Sequence, residues 1–525
     1  MATITVLRGD EARSIPAQPG EALLSALQRA GLHEPGAPCG GNGTCGKCLV
    51  EAWGALEPPS PAEARRLPPG GERRLACRAR VAGDCSVRLP AVEGARVALD
   101  GGPLPYPPDP GREGLGAAVD VGTTTVACSL YDLAAGERLG ALGELNAQRA
   151  FGADVISRIA RCTGSPDGLA LLTAAIREQL AGALARLCLE AGRHTEEIQC
   201  VAAAGNTVME HLLAGLSPAS IAAAPFTPLS RFGCSLPAAD LGLPAAAGAR
   251  VYLAPAVAGY VGGDVTAGLL ASGACRAERP VLFLDVGTNG EMALGGRDGF
   301  LCCATAAGPA FEGAEISCGM SGTAGAVSRV WPEGGTLRYT VIGGGAAAGI
   351  CGSGLVDLLA VLLDWGAVDE TGRLLPPGEA PAALRPHLEP SEDGGCAFRL
   401  SPSGPLLTAG DVRRLQLAKA AVAAGVRTLL DEAGLRAEEI SALYLSGGFG
   451  GALHRESAGA IGLLPPALLP RTVCVGNSAA AGAAAALLSG AARQELEALS
   501  ARCRYLELST CPAFSEHYID CMSFE

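Results

Sequence analysis

Four cysteines near the start of the chain have the types and spacing to hold a metal cluster. Residues 38–50 read PCGGNGTCGKCLV and supply Cys39, Cys45 and Cys48 as C-x5-C-x2-C; Cys77, in RRLACRARV, follows after 28 residues. Thiolates on a glycine-rich loop can wrap one side of a small iron–sulfur cluster. Glycine lets the backbone turn tightly and aim N–H groups at the sulfurs. The fourth thiolate then arrives from a separate element. Zinc is the competing metal, but zinc sites usually pair two C-x2-C elements, and no second pair or suitably spaced histidine follows. Cys85 lies close enough to Cys77 to compete for the fourth place.

A second set of residues is suited to gripping phosphate. Asp120-Val-Gly-Thr-Thr-Thr and Asp285-Val-Gly-Thr-Asn-Gly-Glu each stand where an apolar strand should turn into another strand. A Gly-Thr hairpin offers N–H groups and hydroxyls to phosphate oxygens. Gly122, Thr123, Thr124 and Thr125 are the candidates in the first copy, and Gly287, Thr288, Asn289 and Gly290 in the second. An aspartate at the strand end can hold Mg2+ through water, because that ion keeps much of its hydration shell; Asp120 and Asp285 are placed for it. In LYLSGGFGGAL (443–453) a strand delivers Gly447 and Gly448, where the backbone can approach an adenosine. One Asp-x-Gly-Thr alone is as readily a chance turn; two in order, followed by the Ser-Gly-Gly strand end, form a pattern. It is not a Walker P-loop, since no G-x-x-x-x-G-K-[ST] string is present. Hydrolysis also needs a group that orients the attacking water. Asp264, in YVGGDVTAG between the two loops, and Glu291 are the candidates; either residue could instead cap a helix or bind a structural water.

The elements that must position these residues fall into three stretches. Residues 1–92 read as a small α+β unit, with strand patterns at 3–7 and 85–89 and a helix at 21–30 that Gly31 stops. Residues 93–114 form a linker: six of the eight positions 101–108 are proline or glycine, which predicts an extended tether. After it, apolar strands alternate with Ala- and Leu-rich helices, an α/β pattern. The two Asp-x-Gly-Thr copies lie 165 residues apart (285 − 120). That is too long for a solenoid repeat and suits two duplicated halves, 115–275 and 276–525. Thr408 and Asp411 should cap a helix over 411–430, and the tail from residue 502 reads as a short strand and helix.

Composition bounds the classes of function. The 525 residues are 49% hydrophobic and 18% charged, with mean hydropathy +0.28, so the chain can bury large cores. A net charge of −13 argues against a nucleic-acid binder, which needs a basic surface. The first residues lack the basic start and apolar core of a signal peptide. The stretch 475–492 is mostly Ala, Gly and Ser, too weakly hydrophobic for a membrane span. A cytoplasmic location is therefore expected, with no membrane association. Sixteen of the twenty cysteines lie outside the cluster set (20 − 4). Reduced, mostly buried thiols are expected of them.

The cysteine spacing resembles that of plant ferredoxins, C-x4-C-x2-C…C. Its first gap is one residue longer, as in the adrenodoxin-type variant of the [2Fe–2S] fold, and LACRARV resembles the ferredoxin pattern around the fourth ligand, which favours Cys77 over Cys85. The paired hairpins and Ser-Gly-Gly strand end resemble the actin, sugar-kinase and heat-shock chaperone (ASKHA) ATPase fold. The implied fold class is multidomain: an N-terminal α+β ferredoxin-like (β-grasp) domain, a Pro-rich linker, and an α/β ASKHA ATPase fold in two halves. From Pro38 onward the chain resembles the reductive activators of corrinoid proteins, the RACo and RamA group. The segments NAQRAFGADVISRI (146–159), AAAGNTVMEHLL (202–213), AGPAFEGAEISCGMSGTAGAV (307–327), GICGSGLVDLL (349–359) and VGNSAAAGA (475–483) carry that resemblance beside the motifs above.

The resemblance implies a [2Fe–2S] cluster, ATP and Mg2+ as cofactors. It implies a low-potential electron donor and a corrinoid methyl-transfer protein as partners, and it allows a homodimer. The activity it implies is ATP-dependent reduction of inactive Co(II) corrinoid to Co(I). No C-x2-C-x2-C run follows Cys48, so the chain looks like the [2Fe–2S]-only branch rather than the RamA type with added [4Fe–4S] clusters. Two rival functions read nearly the same: an activator of another low-potential metalloenzyme, and a redox-sensing ASKHA ATPase or kinase.

Overall fold

A computed structural model of the chain describes residues 1–8, 11–30, 32, 43, 48–64, 67, 72–89, 106–313, 315–391 and 395–524. Its first module is a five-stranded sheet ordered β2-β1-β5-β3-β4. The strands are β1 (Ala2–Arg8), β2 (Glu11–Ala17), β3 (Leu49–Leu56), β4 (Arg73–Leu75) and β5 (Val81–Arg88). Alternation places Ile4 and Val6 of β1 inward, where Leu23, Leu24 and Leu27 of α1 (Leu23–Arg29) cover them. The single turn α2 (Pro61–Ala64) brings Glu63 into the core, where its carboxylate accepts from Arg74 Nε (2.8 Å) and Leu75 N (3.0 Å). That clamp fixes the strand that leads into Cys77.

The second and third modules repeat one topology. The first sheet is a meander of β6 (Leu115–Val121), β7 (Thr125–Asp132) and β8 (Arg138–Leu145), extended by β9 (Ile198–Gly205), β10 (Cys234–Pro237) and β11 (Arg250–Leu253) in the order β10-β11-β9-β6-β7-β8. The later sheet is built on β12 (Val281–Val286), β13 (Gly290–Gly296) and β14 (Gly299–Thr305). Two three-stranded sheets are inserted next: β15 (Ala326–Glu333), β16 (Thr336–Val341) and β17 (Gly349–Ile350), then β18 (Leu388–Pro390), β19 (Cys396–Arg399) and β20 (Leu406–Thr408). The chain returns with β21 (Leu443–Ser446), β22 (Thr472–Gly476) and β23 (Cys503–Tyr505), giving the order β22-β21-β12-β13-β14-β23. In each half a meander is joined by two strands parallel to its first: β9 and β11 in one, β21 and β22 in the other. The duplication expected from the repeated motif is thus visible in strand order and direction.

Helices cover the sheets. The first half carries α3 (Val155–Gly164), α4 (Gly168–Glu190), α5 (Thr207–Ala214) and α6 (Gly263–Ala271). The second carries α7 (Gly352–Asp364), α8 (Ala409–Ala433), α9 (Gly447–Gly450), α10 (Arg455–Ala460), α11 (Ser478–Leu488), α12 (Gly490–Arg502) and α13 (Pro512–Asp520). Helix α8 begins with the expected reciprocal cap between Thr408 and Asp411. Helices α6 and α11 lie between the two six-stranded sheets, in a core that mixes Ala118 and Ala202 of one sheet with Phe283 and Phe300 of the other. They touch closely: a Cβ on Gly482 would strike the Ala267 carbonyl, and one on Gly268 would stand 2.7 Å from Ser478 Oγ. The Ala-rich stretch 475–492 is this buried layer. Among the described residues no helix is long and apolar enough to cross a membrane.

The linker departs in part from the tether expected over 93–114. Its last part is anchored. Tyr106 lies under the Arg276 guanidinium (4.4 Å to the ring centre), and Asp109 receives the Gly490 N–H (2.8 Å) while its own N–H donates to Leu488 O (2.8 Å). Arg112 donates to Leu487 O and to Cys200 Sγ. Residues 106–113 form neither helix nor strand, and their interspersed polar and aromatic side chains dock them. Residues 90–105 lie outside the described residues.

Candidate functional site

The two Asp-x-Gly-Thr hairpins face one cavity of about 440 Å3. Each aspartate closes the inner strand of its meander. Asp285 is paired with Glu291 across β12–β13, and Asp120 with Ala127 across β6–β7. Asp120, Asp264, Asp285, Glu291, Gly122, Thr123, Thr124, Thr125, Gly287, Thr288, Asn289, Gly447 and Gly448 all line the cavity. Gly290, the remaining candidate, starts β13 and is not among the cavity-lining residues; a Cβ there would meet Thr305 Oγ1 and Val422 Cγ2.

Several residues of the site carried no assigned role in the sequence reading. Asn206 and Asn477 each cap a helix with Oδ1, to Met209 N (3.0 Å) and Ala480 N (2.9 Å). Each spends Nδ2 on the first hairpin: Asn206 on Thr123 Oγ1 (2.7 Å) and Asn477 on Asp120 Oδ2 (2.8 Å). A repeated Gly-Asn-[Ser/Thr] at a strand-to-helix step, 205–207 and 476–478, was the signal available for them. Ser446 donates to Asp285 Oδ2 (2.8 Å) and pairs with Ser478 Oγ (2.7 Å). Behind the first hairpin, the fully buried Arg158 donates to Thr123 O (2.6 Å), and Asn146 donates to Gly122 O (2.8 Å). Phe311 stacks on Phe449 at 5.0 Å, and both line the cavity.

The cleft is crowded with acids. Burial pushes Asp120 up to about 7, opposed by the Asn477 hydrogen bond and aided by the Asp285 charge. Burial, then the charges of Asp285 and Asp120, raise Asp264; burial with Asp264 and Asp285 raises Glu291. Asp285 is raised by burial and by Glu312, against its Ser446 bond. Such a set favours a bound cation. Among the described residues no three acid, thiol or imidazole groups converge as a metal cage.

The acids carry a pH signature. A carboxylate whose folded pKa lies above its unfolded value of 3.8 makes folding take up protons between the two. The penalty is absent below the unfolded pKa and complete above the folded one. Thermal melts in chelator are expected to show a lower Tm at pH 8 than at pH 6, with the difference shrinking when Mg2+ is added. A flat profile in chelator would remove the acid crowding from the account.

Gly447 gives a second test here. Its φ is +85°, and a Cβ would stand 2.6 Å from Asp285 Oδ1. Gly447→Ala should cost about 1–2 kcal/mol in backbone strain and displace Asp285. The readout is nucleotide affinity by calorimetry, expected to fall at least about tenfold, a loss worth about 1.4 kcal/mol.

The cysteine site lies in the first module. Cys48 and Cys77 are buried with their sulfurs 3.2 Å apart. The Ala76 N–H donates to Cys48 O (2.8 Å), which sets the two cysteine-bearing segments in register. Two buried thiols converging from separate elements fit one side of an iron–sulfur ligand set. Cys39 and Cys45 lie outside the described residues. Cys85 sits in mid-strand opposite Ile4 and Gly54, its thiol raised chiefly by burial. Of the other cysteines, Cys302 and Cys303 point to opposite faces of β14 into different cores.

Comparison with known proteins places the whole arrangement. The 2Fe-2S iron-sulfur cluster binding domain matches residues 7–82, the RACo middle region matches 115–276, and the C-terminal domain of RACo, its ASKHA domain, matches 279–525. The corrinoid activation enzyme RamQ of Eubacterium limosum is 36% identical over 413 residues, covering 77% of this chain and 69% of RamQ. The [Co(II) methylated amine-specific corrinoid protein] reductase of Methanosarcina barkeri is 27% identical over 299 residues, about half of either chain (52%). A solved structure of a reductive activator for corrinoid, iron-sulfur protein superposes with a TM-score of 0.73 at 30% identity, covering 100% of this chain and 98% of that one. With a ferredoxin module, two matching Asp-x-Gly-Thr hairpins and this span of similarity, the chain belongs to the RACo family of reductive activators.

Proposed function

We propose that the chain is an ATP-dependent reductive activator that delivers one electron at a time to an inactive Co(II) corrinoid protein and so restores the Co(I) form used in methyl transfer. The observation that carries this reading is the junction of a ferredoxin module with one cleft gripped by two threonine hairpins. The names of its relatives, a corrinoid activation enzyme and a corrinoid protein reductase, support the same acceptor. Cys39, Cys45, Cys48 and Cys77 would hold the [2Fe–2S] cluster, which supplies a one-electron carrier near about −400 mV. Asp120 and Asp285 would hold Mg2+, which offsets phosphate charge.

The residues of the cleft define the remaining steps. Threonine hydroxyls and hairpin N–H groups orient the triphosphate from both halves. Gly447 and Gly448 admit the nucleoside to the end of β21. Asp264, in the first turn of α6, orients the attacking water; Glu291, beside it, is a second acid able to hold the water's proton. Phosphate release then changes the fit of the two halves. Reduction of cobalt is uphill if its potential lies below that of the donor. Each 59 mV costs a factor of ten in a one-electron equilibrium, so a gap on the order of 100 mV is a few kcal/mol, within reach of a conformational step driven by ATP. An external low-potential reductant provides the electron.

The test is anaerobic visible spectroscopy of a Co(II) corrinoid protein mixed with the activator and a reductant, with and without Mg-ATP. Growth of the Co(I) band only with ATP is the expected result. Several corrinoid proteins remaining Co(II) while ATP is turned over would move the acceptor to another metalloenzyme.

A further inference from the structure

Glu312 bridges the two hairpins. Its Oε2 accepts from Thr124 Oγ1 and its Oε1 from Thr288 Oγ1, both at 2.7 Å. It is thus one carboxylate hydrogen-bonded to both halves of the duplicated fold. The hydroxyls it engages are the donors that the hairpins present to phosphate. Arg158, behind the first hairpin, and Arg149 both feel its charge. The same positive field would draw a phosphate to the same place.

We propose that Glu312 is a phosphate-competing clasp: its carboxylate holds Thr124 and Thr288 across the cleft, and the phosphates of a nucleoside triphosphate take over those hydroxyls and expel it. The proposal rests on the nucleotide reading of the cleft. A carboxylate and a phosphate at the same two donors repel one another, and only one of them can be satisfied there. The clasp is also connected. Glu312 ends a single turn, Pro309–Glu312, flanked by Gly308 and Gly313, both at φ +75°. The neighbouring Phe311 stacks on Phe449 of α9, the turn that follows the Ser-Gly-Gly strand end. Expelling Glu312 therefore shifts a turn already packed on the nucleoside side. Phosphate entry and the seating of the nucleoside become linked through two adjacent residues. Glu312 is a positioning residue in this role; it acts through the hairpins and takes no part in bond breaking.

Calorimetric binding of ATP and of adenosine to the full chain, for wild type, Glu312→Gln and Glu312→Ala, tests this. Removing a charged hydrogen-bond partner should tighten ATP by about tenfold or more, with Glu312→Ala at least as strong as Glu312→Gln. Adenosine, which has no phosphate, should bind all three alike. Melting curves check folding, and the isosteric glutamine keeps the test open if the alanine variant unfolds. Weaker or unchanged ATP binding in both variants overturns the clasp, as does an equal gain for adenosine. Hydrogen exchange gives a readout independent of affinity. In wild type ATP should raise exchange at 309–313; in Glu312→Ala it should already be raised without ATP. No ATP binding by wild type would instead overturn the nucleotide reading itself.

Discussion

A Cys77→Ser chain is expected to hydrolyse ATP near the wild-type rate while transferring essentially no electrons to the corrinoid protein. The thiol lies 3.2 Å from that of Cys48 in the core of the first module. A serine hydroxyl is a harder, less readily ionised donor and cannot replace a thiolate in the ligand set. The visible absorbance of the cluster should be lost or strongly altered, and ATP-dependent Co(I) formation should drop by at least about a thousandfold, more than 4 kcal/mol in transition-state terms. The ATP cleft should be spared because its residues all come from 120 onward. One polar contact does join the modules, from Gln28 Nε2 to Ala150 O (2.5 Å). Parallel loss of ATP hydrolysis in Cys77→Ser would mean that the ferredoxin module is needed to form the cleft, against the separation argued above.

Asp285→Asn should act in the opposite sense on two observables. Asp285 is one of the half-buried acids of the cleft, and its charge raises the pKa of both Asp264 and Asp120. An amide keeps the shape and can still accept from Ser446, whose hydroxyl stands 2.8 Å from Oδ2. Removing the charge relieves repulsion, so Tm in chelator should rise by about 2–4 °C for each kcal/mol gained. The same change removes the carboxylate assigned to Mg2+. ATP-dependent cobalt reduction should fall by about a hundred- to a thousandfold, the scale seen when one electrostatic contact to a transition state is deleted. Reduction of the cluster by dithionite should be unchanged. A variant that loses both stability and activity would make Asp285 a structural residue.

Much of this was legible in the chain because a few motifs have strict backbone demands. An Asp-x-Gly-Thr at the end of an apolar run must turn into a second strand, and both copies do so between β6 and β7 and between β12 and β13. Thr408 and Asp411 announced their helix by capping chemistry. The clustering of Asp264 with Asp285 comes from the packing of the two halves, and local sequence alone could not have supplied it. Residues that act through long-range hydrogen bonds were harder to see. Glu312 lies 188 positions from Thr124, and Asn477 lies 357 from Asp120. Nothing in a local window joins such partners; only the packing of the two halves does. Gly290 makes a simpler point: membership of a motif does not fix the face on which a position lies, and in a strand each step reverses it. The linker shows the limit of composition: proline and glycine set its backbone shape, while Tyr106, Asp109 and Arg112 decided that its end would dock.

The glycine-and-alanine contact between α6 and α11 has a mechanical consequence. Without bulky side chains at Gly268, Ala267 and Gly482, the facing surfaces have few ridges to interlock. Such a contact leaves no side chain between the helices to take up a displacement: a Cβ at Gly482 would strike the Ala267 carbonyl, and one at Gly268 would stand 2.7 Å from Ser478 Oγ. Each helix begins at the cleft: α6 carries Asp264 in its first turn, and α11 is capped by Asn477, which holds Asp120. The pair therefore joins the two halves directly behind the cleft, with Asp264 and Asn477 at the ends of the joined helices. A larger side chain at Gly482 would strike the Ala267 carbonyl, and is expected to lower the melting temperature and to shift those two residues together.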